Sequence, residues 1–396
     1  MDDNFAKLNS DLYISLMKLN EICEVYSGYA IKEFNNIKKG LPVIKIGNIL
    51  TDGTLNLGEC QFSAEDINEK YHSKKGDIYV ALSGATTGKL GIMEDEKKYI
   101  INQRVGIIRL KQKSVSQSYI KFFLLKQTER IIDEATGCAQ PNISPKQIGE
   151  YDVPVFPEKE MLQISDILNN IVCVIKHYKA MIKKYDDLIK ARFIEMFGDP
   201  QINKKGFTKA PMGEYLSLLT DFSSNGSYKA LDSGVVMYDE PNYAWMVRTT
   251  DLESGDKSSI KYIDEKAYEL LSKSKIFGGE IIMNKIGSAG KIYIIPKLTM
   301  PASLGRNAFM FRYDERINNI FMYYLLTSDY GQREIQQYVR GAVTKTITKD
   351  DARAVLIIVP PLELQQQFAD FVQQVDKSRF VLDESIIKLE REIVYD

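Results

Sequence analysis

The 396-residue chain repeats its own landmarks a little over 200 residues apart. Gly76-Asp77-Ile78 and the loop Ser83-Gly84-Ala85-Thr86-Thr87-Gly88-Lys89 return as Gly279-Glu280-Ile281 and Ile286-Gly287-Ser288-Ala289-Gly290-Lys291, displaced by 203 and then 202 residues. Nearly the same displacement carries Ile44-Lys45-Ile46-Gly47-Asn48-Ile49 onto Val247-Arg248-Thr249-Thr250-Asp251-Leu252, and Arg104 onto Arg306. Further on, residues 137–144 fall on 341–348, and Val155-Phe156-Pro157 with Gln163 falls on Val359-Pro360-Pro361 with Gln367, now at 204. Such a period is far too long for a solenoid repeat. It predicts two domains of one fold, hence two similar but non-identical sites.

Net charge is -1, so the overall balance gives no hint of a nucleic-acid partner, and any basic surface has to be local. Cys23, Cys60, Cys138 and Cys173 are scattered, and His72 and His177 lie far from each other and from any cysteine pair, which argues against a disulfide framework or a zinc site. The N-terminus is polar and no apolar run reaches the roughly 18 residues of a membrane span, so a reducing cytoplasm is expected.

After Pro157 the chain changes character. Residues 158–197 contain no proline or glycine, and Met161, Ile164, Leu168, Ile171, Ile175, Tyr178, Ile182, Tyr185 and Ile189 recur at spacings of three and four. This is a heptad seam, and Gly198-Asp199-Pro200 stops it. Leu364, Phe368, Phe371, Val375, Leu382, Leu389 and Ile393 form a similar seam at the end of the second repeat, weakened at Ser378 and Ser385. One such helix alone could be a surface helix packed on its own domain. Two narrow seams at equivalent positions predict that the helices pair with each other. Antiparallel pairing would give a dumbbell with pseudo-twofold symmetry, and a charge at Ile175 is expected to splay its heads. The expected division is a first head over 1–157, a central helix over 158–198, a second head over 199–361 and a C-terminal helix over 362–396.

The heads read as mixed α/β. Short β-branched runs cover 42–49, 77–82 and 99–110 in the first, and 245–249, 280–285, 291–296 and 307–312 in the second. Helical periodicity covers 118–135 and 317–338 between them. Gly84 and Gly88 allow a loop with positive φ between two strands. The loop resembles a phosphate-binding G-x-x-x-x-G-K-[ST] motif but is one residue short, has Leu90 in place of the metal-binding hydroxyl, and precedes a strand. A small, hydroxyl-rich tip ending in lysine is better suited to approaching a phosphate backbone or a groove. There is no dinucleotide fingerprint, no G-x-S-x-G and no H-E-x-x-H. Recognition or assembly is therefore favoured over catalysis.

In this order and duplication the chain resembles the specificity (S) subunit of a type I restriction-modification system. The resemblance is carried by the Ile44 to Ile49 element, the Gly76-Asp77 strand, the Ser83 to Lys89 loop and Gln140-Pro141-Asn142-Ile143-Ser144. It continues through Val153-Pro154-Val155-Phe156-Pro157 to the helix ending Phe197-Gly198-Asp199-Pro200. The second copy departs: Thr344-Lys345-Thr346 replaces Gln140-Pro141-Asn142, and the stretch before Trp245 is about ten residues longer than its counterpart. The resemblance implies two target-recognition domains joined by two long helices in an antiparallel coiled coil. Each head would read part of a split, asymmetric double-stranded DNA site, and the helices would dock two methyltransferase subunits. S-adenosylmethionine would belong to those partners. ATP and Mg would belong to partner restriction-translocase subunits, and this chain would hold no cofactor or metal and no catalytic residue.

Candidate DNA contacts each keep an ordinary alternative. Ser83, Thr86, Thr87, Lys89, Ser288 and Lys291 form the two tips, or solvated hairpins. Arg104 and Arg306 fall at matched strand positions, after Asn102-Gln103 and Leu304-Gly305, and could bond guanine edges or form ion pairs within the sheet. Lys45 and Arg248 are matched as backbone clamps or solvated strand residues; Lys285, beside the second tip, joins the candidates. Gln140, Asn142, Lys345 and Thr346 sit in a turn-rich element suited to polar readout. Ile164, Leu168, Ile171, Ile175, Ile182, Phe368, Phe371, Val375 and Leu382 are assigned to helix pairing. The rival reading is a tandem adaptor whose heads bind protein or small-molecule ligands.

Overall fold

The computed structural model describes residues 15–111, 115–135, 141–254 and 259–395. Two compact units make up the chain, one of residues 1–179 with 383–396 and the other of residues 180–382. Each long helix is thus shared between units, a division that the four consecutive segments expected from sequence did not contain.

In the first unit the strands Cys23–Ser27, Val105–Leu110, Ile78–Ala81 and Leu90–Ile92 lie in that order in an antiparallel sheet. Ile78, Tyr79, Val80 and Ala81 are all buried, because this strand is covered on both faces. Ile78 and Val80 meet Ile108, Ile120, Leu124 and Ile131 in one apolar cluster. Tyr79 and Ala81 meet Ile44, Ile101, Val105 and Ile107 in another. A smaller sheet holds Leu41–Ile44 between Gln61–Ser63, antiparallel, and Ile100–Ile101, parallel.

The second unit repeats the plan. Leu216–Asp221, Ala308–Tyr313, Ile281–Asn284 and Ile292–Ile294 form its antiparallel sheet. The register Ile281↔Phe311 reproduces Ile78↔Ile108 at the same displacement. Its second sheet gains a fourth strand, Lys275–Ile276, beside Ala302–Leu304, Ala244–Val247 and Lys261–Ile263. The longer stretch before Trp245 includes the helix Tyr228–Gly234, capped by Ser227 Oγ. Its Leu231 and Val235 pack with Phe222, Ala267 and Leu271 in a small core of their own.

Several expected segments are shorter than their patterns. The run 42–49 stops as a strand at Ile44 and turns through Ile46–Asn48, where Lys45 N–H donates to Asn48 Oδ1 at 2.8 Å. The run 99–110 is broken at 102–104 into two strands that enter different sheets. The helical run 118–135 is split into Gln117–Lys126 and Thr128–Ala135, and 317–338 into Asn319–Thr327 and Asp329–Gln336. In the latter, Ser328 Oγ accepts from Gly331 N–H at 3.2 Å, capping a new helix where periodicity alone suggested one.

The long helices span Glu158–Phe197 and Leu362–Tyr395. On the first, Ile175 and Ile189 are buried, and Ile164, Leu168, Ile171 and Ile182 are half-buried. On the second, Phe368, Val372, Val375 and Ile386 are buried, and Phe371 and Leu382 are half-buried. Pairing is antiparallel: within the first unit Lys179 Nζ lies 2.9 Å from Glu390, and within the second Asp186 lies 3.1 Å from Arg379. Arg379, not Ser378, occupies the weak step of the seam. Phe193 and Phe197 pack on Phe368 at centroid distances of 5.4 and 5.5 Å, and Phe197 on Phe321 at 4.7 Å, anchoring both helices in the second unit's core. No helix among the described residues is long and apolar enough to cross a membrane.

Candidate nucleic-acid interface

Three segments remote in sequence meet at one end of each head. In the first, Leu82 N–H donates to Arg104 O at 2.9 Å, joining the root of the Ser83 to Lys89 loop to the break between strands. Gly84 N–H donates to Pro141 O at 3.1 Å and Ile143 N–H to Leu82 O at 2.9 Å, so the Asn142 element runs beside the loop. In the second, Lys285 N–H reaches Asn307 O at 2.9 Å, Gly287 N–H reaches Lys345 O at 2.9 Å, and Ile347 N–H reaches Lys285 O at 3.1 Å. Three of the repeated sequence elements, the glycine loop, the break between strands and the segment around Asn142 and Thr346, thus build the same junction in both heads. Gly84 and Gly88 adopt φ of +84 and +86, and Gly287 and Gly290 of +81 and +86, a region that side chains with a Cβ avoid.

The same bonds correct one pairing. Arg104 and Asn307 hold equivalent places, so Arg306 stands where the first head has Gln103. The second loop is one residue shorter, which shifts the count to 202 through Lys291, and the lost residue is regained before the next strand. Arg306 and Arg104 are neighbours in the pattern, not counterparts.

Within the first tip, Thr87 Oγ1 donates to Gly84 O at 2.7 Å and so helps close the loop. Ser83 Oγ and Thr86 Oγ1 are buried without a hydrogen-bond partner among the described residues. Asn142 and Arg104 are exposed, Lys89 is half-exposed, and neither cation has a side-chain partner among the described residues. Gln140 lies outside the described residues. Lys45 is held against the Phe34 ring, 3.6 Å from its centroid, and donates to Gln61 Oε1; burial lowers its pKa.

The second tip is more heavily paired. Ser288, Lys345 and Thr346 are exposed, and Thr346 and Arg340 exchange backbone hydrogen bonds of 2.8 and 2.9 Å that close the 341–345 turn. Lys291 is ion-paired with Glu253, whose hydrogen bond raises the lysine's pKa. Arg306 sits 3.3 Å from Asp232 and 4.9 Å over the Phe222 ring, where it lines a recess of about 320 Å³ with Val235, Met237, Arg248 and Thr249. Arg248 Nη2 binds Asp251 at 2.5 Å and Ser259 O at 2.6 Å, so its guanidinium serves the turn that Asp251 caps and is not a free clamp. Lys285 is engaged in the same way: its ammonium donates to Asp221 at 2.7 Å and the side chain is 14% exposed.

Asp77 and Glu280, the acids of the repeated Gly-Asp and Gly-Glu pair, are structural. Asp77 receives both Arg109 Nε and Nη2 at 2.7 Å and Lys74 N–H at 2.8 Å. Glu280 lies 3.2 Å from Arg312 and accepts from the Phe277 and Gly278 amides at 2.9 and 2.8 Å. Both tie the entry of a central strand to the end of its neighbour.

The model of the type I restriction modification DNA specificity domain matches this chain twice, at residues 14–184 and 216–391. The putative type I restriction enzyme MjaX specificity subunit of Methanocaldococcus jannaschii is 22% identical over 387 residues, covering 91% of this chain and 86% of that one. The type I restriction enzyme EcoBI specificity subunit of Escherichia coli is 21% identical over 380 residues, covering 90% and 78%. Among solved structures, a chain from work on complex assembly and conformational transition of the type I R-M system aligns with a TM-score of 0.57 at 14% identity, covering 97% of each chain. The S subunit of a type I restriction-modification system from M. genitalium aligns at 0.51 and 14%, covering 98% of this chain and 95% of that one. Two such domains, each carrying the same three-segment junction and each ending in a long helix, place the chain in the type I restriction-modification DNA specificity family.

Proposed function

We propose that this chain is the recognition subunit of a type I restriction-modification complex, that each three-segment tip reads one half of a split double-stranded DNA site, and that the paired helices dock two methyltransferase subunits. Membership of the family supports the first statement. The observation that carries the second is the duplicated junction, which gathers backbone amides, hydroxyls and the exposed Arg104, Asn142, Lys345 and Thr346 at one place per head. Exposed Lys and Arg neutralise phosphates, whereas an arginine or asparagine reaching a base edge supplies sequence discrimination. The chemistry is assigned to partners: methyltransferase subunits bringing S-adenosylmethionine, and restriction subunits bringing ATP and Mg. This chain contributes recognition and positioning.

The test is base-resolved N6-methyladenine mapping in a host that carries the neighbouring methyltransferase gene, with and without this chain. A split motif present only with the chain, whose halves change separately when each head is exchanged, is the expected outcome. Methylation indifferent to the chain's removal overturns the proposal in favour of a tandem adaptor.

A further inference from the structure

The root of the second tip holds a charged cluster with no counterpart among the described residues of the first. Asp221 ends the strand Leu216–Asp221; one of its oxygens accepts from Lys285 Nζ at 2.7 Å and the other from Lys349 Nζ at 2.7 Å. Ser224 Oγ donates to Asp221 at 2.7 Å and accepts from Lys349 at 2.8 Å. The side chains of Asp221, Lys285 and Lys349 are 7, 14 and 30% exposed.

The placement of the two lysines gives the cluster its meaning. Lys285 immediately precedes the tip loop and Lys349 immediately follows the 341–348 element, at the first position of the helix Lys349–Ala354 after its cap Thr348. A lysine there faces the positive end of the helix dipole, an unfavourable position that a carboxylate contact offsets. One aspartate thus grips both segments of the tip. Sheet register and loop bonding identify the corresponding residues of the first head as Ser27, Leu82 and Pro145. Leu82 is buried in the apolar core there, so the same junction is held by packing.

We propose that Asp221, with Lys285 and Lys349, is a positioning clamp that fixes the two segments of the second tip and thereby sets that head's base discrimination; this rests on the DNA-reading function proposed above. Removing the carboxylate leaves two half-buried ammonium groups facing each other, and their repulsion loosens both segments together. A reader whose contact groups wander loses discrimination before it loses backbone affinity, because phosphate contacts tolerate displacement that bidentate base contacts do not.

The experiment uses the full chain with its methyltransferase partner and DNA carrying the mapped site, with every base pair of both halves changed singly. Asp221→Asn is expected to lower discrimination about tenfold in the half read by the second head and leave the other half unchanged, with Asp221→Glu restoring part of it. Lys349→Gln, which keeps the Asp221 and Lys285 pair and so spares the fold, is expected to lower it about threefold in the same half. Hydrogen exchange at the Gly287 and Ile347 amides should quicken in both variants. Discrimination lost equally in both halves, or unchanged in both variants, overturns the clamp. So does a Lys349→Gln variant that weakens all sequences alike and reduces the salt slope by about one, which marks a phosphate contact instead. Absence of discrimination in the unaltered protein overturns the DNA-reading function itself, and is distinguished by occurring before any substitution.

Discussion

Among the described residues the first head leaves Lys89 and Arg104 of its tip without a side-chain partner, whereas the second pairs Lys291 with Glu253, Arg306 with Asp232 and Arg248 with Asp251 and leaves Lys345 exposed. Below the tip the contrast is reversed: the first head is held by apolar Leu82, the second by the Asp221 cluster, with two lysines to one aspartate. The backbone junction is nearly identical in both. Duplication has preserved how the segments are joined and left the electrostatics around them free to diverge. Repeated residue names are therefore poor guides to repeated roles, and Lys89 and Lys291 are the example.

The largest expected effect separates the cores. Phe197→Ala removes the centre of the aromatic group formed with Phe193, Phe321 and Phe368, and should cost the second unit about 3–5 kcal/mol. Native-state hydrogen exchange should show the second unit opening first; equal loss in both units breaks the comparison. The matched ion pairs come next. Asp77→Asn strands Arg109, whose side chain is 12% exposed, and should cost about 3–5 kcal/mol. Glu280→Gln should cost less, because Arg312 is 31% exposed and solvent compensates it. Denaturant midpoints of the two variants decide the order.

Binding sharpens the contrast further. Lys89→Ala should weaken DNA affinity and reduce the salt slope by about 0.9, the loss of one phosphate contact. Lys291→Ala should change the slope less, since its ammonium must first leave Glu253, and Glu253→Gln should strengthen binding at low salt. Equal slopes for the two lysine variants remove the distinction. The smallest effect is in acid. Burial alone would raise the Asp221 pKa, but hydrogen bonds from Lys285, Lys349 and Ser224 outweigh it and hold the carboxyl at about 2. A depressed folded value stabilises the protein above the ordinary aspartate range, so this contribution is complete at neutral pH and is lost as pH falls from about 4 through 2. Asp221→Asn should flatten the acid arm of stability against pH in that window for the second unit.

Much of this architecture is legible in the sequence because it is periodic or repeated. The three-four spacing from Met161 to Ile189 marks one face of one helix, and that face is the unexposed one. The two glycines of each loop mark positive φ, since few other residues tolerate it. Other features carry no local signal. Strand limits such as Ile44 are set by a turn whose Asn48 bonds Lys45, and the helix break at Ser328 by a cap within an otherwise continuous apolar pattern. Lys349 carries one trace of its place in the sequence, a lysine directly after a helix cap, where an acid is more usual. The equivalence of Arg104 with Asn307 required the hydrogen-bond register, because a one-residue loop deletion and a compensating insertion shift the count between them.

By itself, the amino-acid sequence determined the duplication, the mixed α/β heads, the two long helices and their apolar faces. Those follow from local propensity and period, which act over a few residues. Tertiary structure alone decided which cations are free and which are neutralised. An ion pair such as Lys285 with Asp221, separated by 64 residues, or Lys349 with Asp221, separated by 128, depends on where the chain returns after folding. Charge interactions fall off with distance in space and take no account of distance along the chain.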